Sequence, residues 1–241
     1  MHDGPVANLE LQRSPIRPML GKLFESARRD VLVAAPYFKR SEAIWLSDRL
    51  ERAGSQVQIS FLTDLKSESI LSGSLDLRAF TELAGRHPGL SVVNLPRLHA
   101  KVYVVDHDKA LITSANLTKS GLDDNFEYGV FLYDTAVVSK VRADLWAYAK
   151  VGSELTIPAI AELDNLAGEL QSEYAMLQRA ASRGMKSRFE QKLRQVDLEF
   201  LKAQVGTRSA NALFTDAILY ALRNGGLSTR DLHPSIPSNL E

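Results

Sequence analysis

Apolar positions along the chain change period partway through, and the change divides it. Val31-Leu-Val-Ala-Ala35 is a continuous apolar run of strand length, the pattern of a strand buried on both faces, and Pro36-Tyr37-Phe38 ends it. Before it, Pro5, Pro15 and Pro18 mark an extended lead-in to a helix from about Met19 to Arg29. After it, a helix is expected from Ser41, as N-cap, to Ala53, with Gly54 closing it. Val57 to Leu62 reads as a second strand, the polar stretch Thr63 to Ser74 as a loop, and Leu75 to Arg86 as a helix. Further strands are expected at Leu90 to Leu95, Leu98 to Asp106, Lys109 to Thr113 and Glu127 to Tyr133, followed by a helix from Thr135 to Lys150. Strands alternating with helices predict an α/β/α sandwich around a mixed sheet.

Beyond Val151 the strand signals vanish. Leu163, Leu166, Leu170, Tyr174, Leu177 and Ala181 recur at helical spacing, and Phe189, Leu193, Val196, Phe200 and Ala203 repeat the pattern after Gly184. A third helix is expected from Ala210 to Arg223, and Ser228-Thr-Arg-Asp231 resembles the start of a short fourth. The organisation expected is therefore an α/β domain over residues 1–150 and a helical C-terminal region over 151–241, serving dimerisation, a partner or nucleic-acid contact.

Composition narrows the function classes. Lys plus Arg and Asp plus Glu both number 29, so any affinity for phosphate must be local. One excess stands out, 10 basic against 5 acidic residues between Gln171 and Arg230, which suits a solvated helix face or a phosphate-backbone contact equally. The lack of cysteine removes thiol nucleophiles, disulfides and cysteine metal sites. With no signal-peptide pattern and no apolar run near the roughly 20 residues needed to span a bilayer, the expectation is a soluble, cytoplasmic protein with no membrane partner.

Chemistry concentrates between Arg97 and Glu127. A period of two places His99, Lys101, Tyr103 and Val105 on one strand face and Asp106 on the other. An imidazole beside an ammonium can attack a phosphorus and neutralise its oxygens, whereas Asp106 is suited to bracing backbone. Chance would produce His-x-Lys-x4-Asp in such a chain with a probability of about 0.01, before Ser114 and Asn116 are required as well. A metal-dependent alternative is disfavoured by Lys101, which would repel a cation at His99.

These residues resemble the signature of the phospholipase D superfamily: His99, Lys101 and Asp106, then Ser114 and Asn116, then Glu127, with Thr113 standing where the family usually has Gly. The resemblance covers roughly residues 20–150. It implies a phospholipase D-like fold and a phosphodiester reaction in which His99 is the nucleophile. Lys101 and Asn116 would hold the non-bridging oxygens, Ser114 would be a further donor, and Glu127 would accept the other imidazole N–H. The family's second motif is missing: His107-Asp-Lys109 has the first two residues, but Ser114 stands where the Asp should be. A single-motif chain resembles the family's small nucleases and restriction enzymes, which implies a homodimer sharing one active site near its twofold axis.

The expected activity is metal-independent and cofactor-free cleavage of nucleic acid, foremost DNA, of restriction or phage-defence type, with a helicase or restriction protein as a candidate partner. Tyr37, Phe38, Lys39 and Arg97 are candidate substrate contacts. The alternatives are phospholipid hydrolysis or transphosphatidylation, and a non-catalytic nucleic-acid-binding subunit of a defence complex.

Overall fold

The computed structural model describes residues 9–54 and 57–177 together with positions 215 and 218. The helix expected at Phe189–Ala203, that at Ala210–Arg223 apart from positions 215 and 218, the Ser228–Asp231 start and the basic residues of the local excess lie outside the described residues. By its internal contacts the chain divides into Met1–Met176 and Leu177–Glu241, and the first unit holds the sheet and the whole motif.

Its elements run β1 (Leu9–Arg13), α1 (Arg17–Glu25), β2 (Asp30–Ala34), α2 (Arg40–Arg52), β3 (Gln58–Thr63), α3 (Ser67–Leu71), α4 (Arg78–Arg86), β4 (Ser91–Asn94), β5 (Val102–Val105), β6 (Lys109–Thr113), a π-helical turn (Ser120–Asp124), β7 (Tyr128–Leu132), α5 (Thr135–Ala149) and β8 (Ser153–Leu155). A further helix, α6, occupies 157–177. The strands form one mixed sheet in the order β1-β7-β6-β5-β2-β3-β4-β8. β2 is central, parallel to β3 and antiparallel to β5.

The apolar run 31–35 is continuous because both faces of β2 are covered. Val31, Val33 and Ala35 enter the core that contains Phe24, Leu46, Phe61, Phe80 and Tyr103. Leu32 and Ala34 enter the opposite one, with Leu62, Val104, Val138 and Leu145. Helices α1, α2 and α4 supply the first layer and α5 the second, which is the expected sandwich.

Several local expectations change. Leu9–Arg13, within the expected lead-in, pairs with β7 as an edge strand, and Ser153–Leu155 closes the other edge on β4. The polar segment 63–74 contains α3. Helix α2 starts at Arg40 with Lys39 at its N-cap, and the Ser41 hydroxyl donates instead to Glu42 Oε2 at 2.6 Å. On α6 the residues facing the core are Ile160 and Ala167, 0% and 5% exposed, while Leu163, Leu166 and Leu170 are exposed. No helix among the described residues is long and apolar enough to cross a membrane.

Candidate active site

The motif strand crosses the sheet and offers different chemistry at its two ends. Strand pairing begins just ahead of β5, where the Lys101 carbonyl accepts the Thr113 N–H at 3.0 Å, and His99 stands beyond it, exposed. Lys101 is 8% exposed. Its Nζ donates to the His99 carbonyl at 2.9 Å and lies 3.2 and 3.4 Å from the two ring nitrogens. Burial pulls the Lys101 ammonium below the usual lysine range, and the Glu127 carboxylate partly offsets that. Two residues on, Tyr103 is fully buried and its hydroxyl donates to the Ala115 carbonyl at 2.8 Å, tying β5 to the Ser114–Asn116 segment. Burial raises the Tyr103 phenol far above its ordinary value, so it stays neutral.

Ser114 and Glu127 meet where β6 and β7 part. The Ser114 hydroxyl donates to Glu127 Oε2, and Asn125 Nδ2 donates to Glu127 Oε1 at 3.0 Å. Both carboxylate oxygens are thus engaged, and no bond joins Glu127 to His99 among the described residues. This departs from the expected carboxylate–imidazole pair; the physical reason is that Ser114 and Asn125 lie on the neighbouring turn and take the oxygens first. Asn116 differs: its Oδ1 is buried without a hydrogen-bond partner among the described residues. A buried amide oxygen without a partner is open to an external hydrogen-bond donor.

At the far end of the strand, Asp106 is 7% exposed. Its carboxylate accepts the backbone N–H groups of Arg28, Arg29 and Asp30, with Oδ1 at 2.8 Å from Arg29 N and 3.1 Å from Asp30 N. Its own N–H donates to the Asp30 carbonyl at 2.9 Å. Asp106 therefore fixes the turn leading into β2, the bracing task its face predicts.

Supporting residues that the sequence did not mark surround the loop. Ser14, next to β1, donates to the Asn125 carbonyl and accepts the Glu127 N–H, both at 2.6 Å. Gly121 lies against Asn116, so a Cβ there would come within 2.7 Å of the Asn116 carbonyl oxygen. Arg17 bridges Asp123 at 2.7 Å and buried Glu42 at 3.1 Å, locking the π-helical turn to α1 and α2. Thr113 fits because Gly129 stands opposite it: a Cβ at 129 would lie 2.8 Å from the Thr113 Cβ.

Of the four expected substrate contacts, Tyr37 and Arg97 line one small cavity of about 170 Å³ with His99, Asp64 and Lys66. Arg97 is held in the left-handed region, φ 67°, where its N–H donates to Asp64 Oδ2 at 3.1 Å. Lys39 lines a different cavity and donates to the Gly73 carbonyl. Phe38 is a correction. It is fully buried, its ring stacked on Phe61 at 4.7 Å and against Phe80 at 5.4 Å, because the chain leaving β2 turns inward over the core.

A histidine and a desolvated lysine at a strand mouth, an unsatisfied asparagine from the next loop and an aspartate bracing the strand's far end match one family model, described as cardiolipin synthase, PLD-like domain, over residues 20–148. The chain belongs to this phospholipase D-like family. Among curated relatives, cardiolipin synthase 2 of Bacillus anthracis is 28% identical over 142 residues, which is 59% of this chain and 27% of the relative. Cardiolipin synthase 1 of the same organism is 29% identical over 129 residues, 54% of this chain and 25% of that one. The chain thus spans about a quarter of the length of these relatives. Solved structures share the fold. Nuc from Salmonella typhimurium, a phospholipase D family member, aligns with a TM-score of 0.52 at 17% identity, covering 61% of this chain and 97% of its own. Phosphatidylserine synthase of Haemophilus influenzae aligns with a TM-score of 0.53 at 18% identity over 73% of this chain and 47% of its own.

Proposed function

We propose that the protein is a metal-independent phosphodiesterase that cleaves nucleic acid, foremost DNA, as an endonuclease of restriction or phage-defence type. The observation that carries the chemistry is the His99–Lys101 pair: a solvent-facing imidazole with an ammonium 3.2 Å from one of its ring nitrogens. A ring nitrogen of His99 attacks the phosphorus; the N–P bond forms as the bond to the leaving oxygen breaks, giving a phosphohistidine. Lys101 and Asn116 donate to the non-bridging oxygens, where charge accumulates, so their preorganisation lowers the barrier. Water then attacks phosphorus and frees His99. A divalent cation bound at His99 would meet the Lys101 ammonium about 3 Å away, which supports a metal-free mechanism.

The leaving oxygen needs a proton and the attacking water must lose one. The sequence holds one copy of the motif, and we assign both tasks to the His99 of a second copy. The sheet also carries an exposed apolar patch, on the face opposite Lys101 and Tyr103, that is available for pairing with a second copy. Leu11, Ile112 and Tyr128 share one sheet face through the β1-β7-β6 register and are 60%, 38% and 57% exposed, and Phe126, next to Glu127, is fully exposed. The nucleic-acid reading is supported by Arg97 and Lys66, which put two cations in the cavity beside His99.

A second reading, phosphatidyl transfer on phospholipid, is favoured by the family description and by the cardiolipin synthases among its relatives. Plasmid and oligonucleotide cleavage in excess EDTA, run beside phosphatidylglycerol vesicles, separates the two. The leading reading expects cleavage by wild type, none by His99→Ala, and no lipid product. Lipid turnover without DNA cleavage would replace it with the second reading.

A further inference from the structure

Next to the reacting centre lies a second and larger cavity, of about 620 Å³, formed where α2, α4 and the π-helical turn begin. It is joined to the first by backbone. Phe38 forms a bridge with Leu117, and the Lys39 N–H donates to the Leu117 carbonyl at 3.1 Å. Tyr37 therefore lines the His99 cavity while Lys39, two residues on, lines the larger one, together with Thr118 of the facing segment. Two extended residues span roughly 7 Å, the scale of a step of one or two nucleotides.

The cavity's charge is mostly cationic where it is unspent. Lys39, Arg40, Arg78 and Lys119 line it against Glu42, Asp76 and Asp124. Glu42 is 2% exposed and already neutralised from behind by Arg17. Asp76 is held by Arg78 at 2.9 Å, and its N–H donates to the Phe38 carbonyl, so it supports the wall. Arg78 keeps 60% of its side chain in solvent despite that pair, and Lys119 has no ion pair among the described residues. A phosphate entering here meets the Lys119 ammonium and the solvent-facing side of Arg78, whose guanidinium is also shared with Asp76, with Asp124 as the carboxylate that opposes them.

We infer that this cavity is a second phosphate subsite, in which Arg78 and Lys119 hold a backbone phosphate one or two nucleotides from the diester under attack. The inference rests on the nucleic-acid reading and deepens it: the enzyme recognises a strand and not an isolated diester. A phospholipid bearing a second phosphate has the same chemistry, and the test distinguishes the two.

The experiment compares wild type with Arg78→Gln/Lys119→Gln, and with the charge-preserving Arg78→Lys/Lys119→Arg. It measures KM and kcat on a 20-nucleotide strand and on bis(p-nitrophenyl) phosphate, with the salt dependence of oligonucleotide binding and with thermal melting as a check of folding. The neutral variant is expected to raise KM for the strand at least about 10-fold more than for the small diester, and to reduce the slope of log K against log salt by about 0.7, the value for one single-strand phosphate contact. The charge-preserving variant is expected to restore both. An unchanged strand KM and salt slope in a folded variant, with wild type cutting DNA, would overturn the subsite and leave the nuclease reading intact. Turnover of phosphatidylglycerol vesicles with no cleavage of the strand by wild type would overturn both.

Discussion

The two ends of β5 carry residues of the same short motif and are built on opposite principles. At Asp106 every acceptor is used: three backbone N–H groups converge on one buried carboxylate. At His99 the polar groups are left open, with an exposed imidazole, a desolvated ammonium and an asparagine whose Oδ1 has no partner. Satisfied groups rigidify a fold, and unsatisfied ones in a packed loop wait for a ligand. One end of the strand thus holds the sheet together, and the other is the end to which the proposed function assigns substrate.

Substitutions at the two ends should separate activity from stability. His99→Ala is expected to lower kcat by at least about 10³-fold, since a nucleophile has no substitute, and to leave the melting temperature within about 2 °C because the ring is exposed. Steady-state kinetics and calorimetry on the same preparation check this. Asp106→Asn should do the reverse. Weakening the acceptor of three N–H bonds costs about 3 kcal/mol, or roughly 6–12 °C in Tm for a chain of this size, while kcat of the folded enzyme at low temperature falls by less than about 5-fold.

Smaller effects sharpen the contrast. Gly121→Ala pushes a methyl into the Asn116 backbone; a loss of about 10-fold in kcat with a destabilisation of about 1–3 kcal/mol is expected, read by kinetics and denaturant titration. The pH profile tests Lys101. Its cation is lost below the ordinary lysine pKa of about 10.4, so activity should fall on an alkaline limb that lies below that value. Lys101→Arg stays charged throughout and should abolish the limb, whatever its effect on kcat.

Much of this was legible from residue patterns. Continuous apolar residues at 31–35 marked the central strand because both layers are apolar there, and alternation alone placed Asp106 opposite Lys101. What failed was local and had physical causes. Leu9-Glu-Leu-Gln-Arg13 alternates as a strand should, but the flanking prolines disguised it, and with it Ser14, whose bonds to the Glu127 segment exist only once β1 pairs with β7. Phe38 looked like a groove residue since it follows a strand, whereas Phe61 and Phe80, distant in sequence, draw it into the core. The leucines of α6 have helical spacing, yet the sheet-facing side is set by Ile160 and Ala167. Glu127 was expected on the imidazole and is found on Ser114, a choice made by a loop whose course no periodicity encodes.

The central claim is that His99 forms a covalent bond to phosphorus, and trapping after a quench in alkaline detergent tests it most directly. Wild type mixed with a substrate whose scissile phosphate is labelled, in excess EDTA, is expected to yield acid-labile, alkali-stable label on the protein, with none on His99→Ala. Equal labelling of His99→Ala would contradict the account.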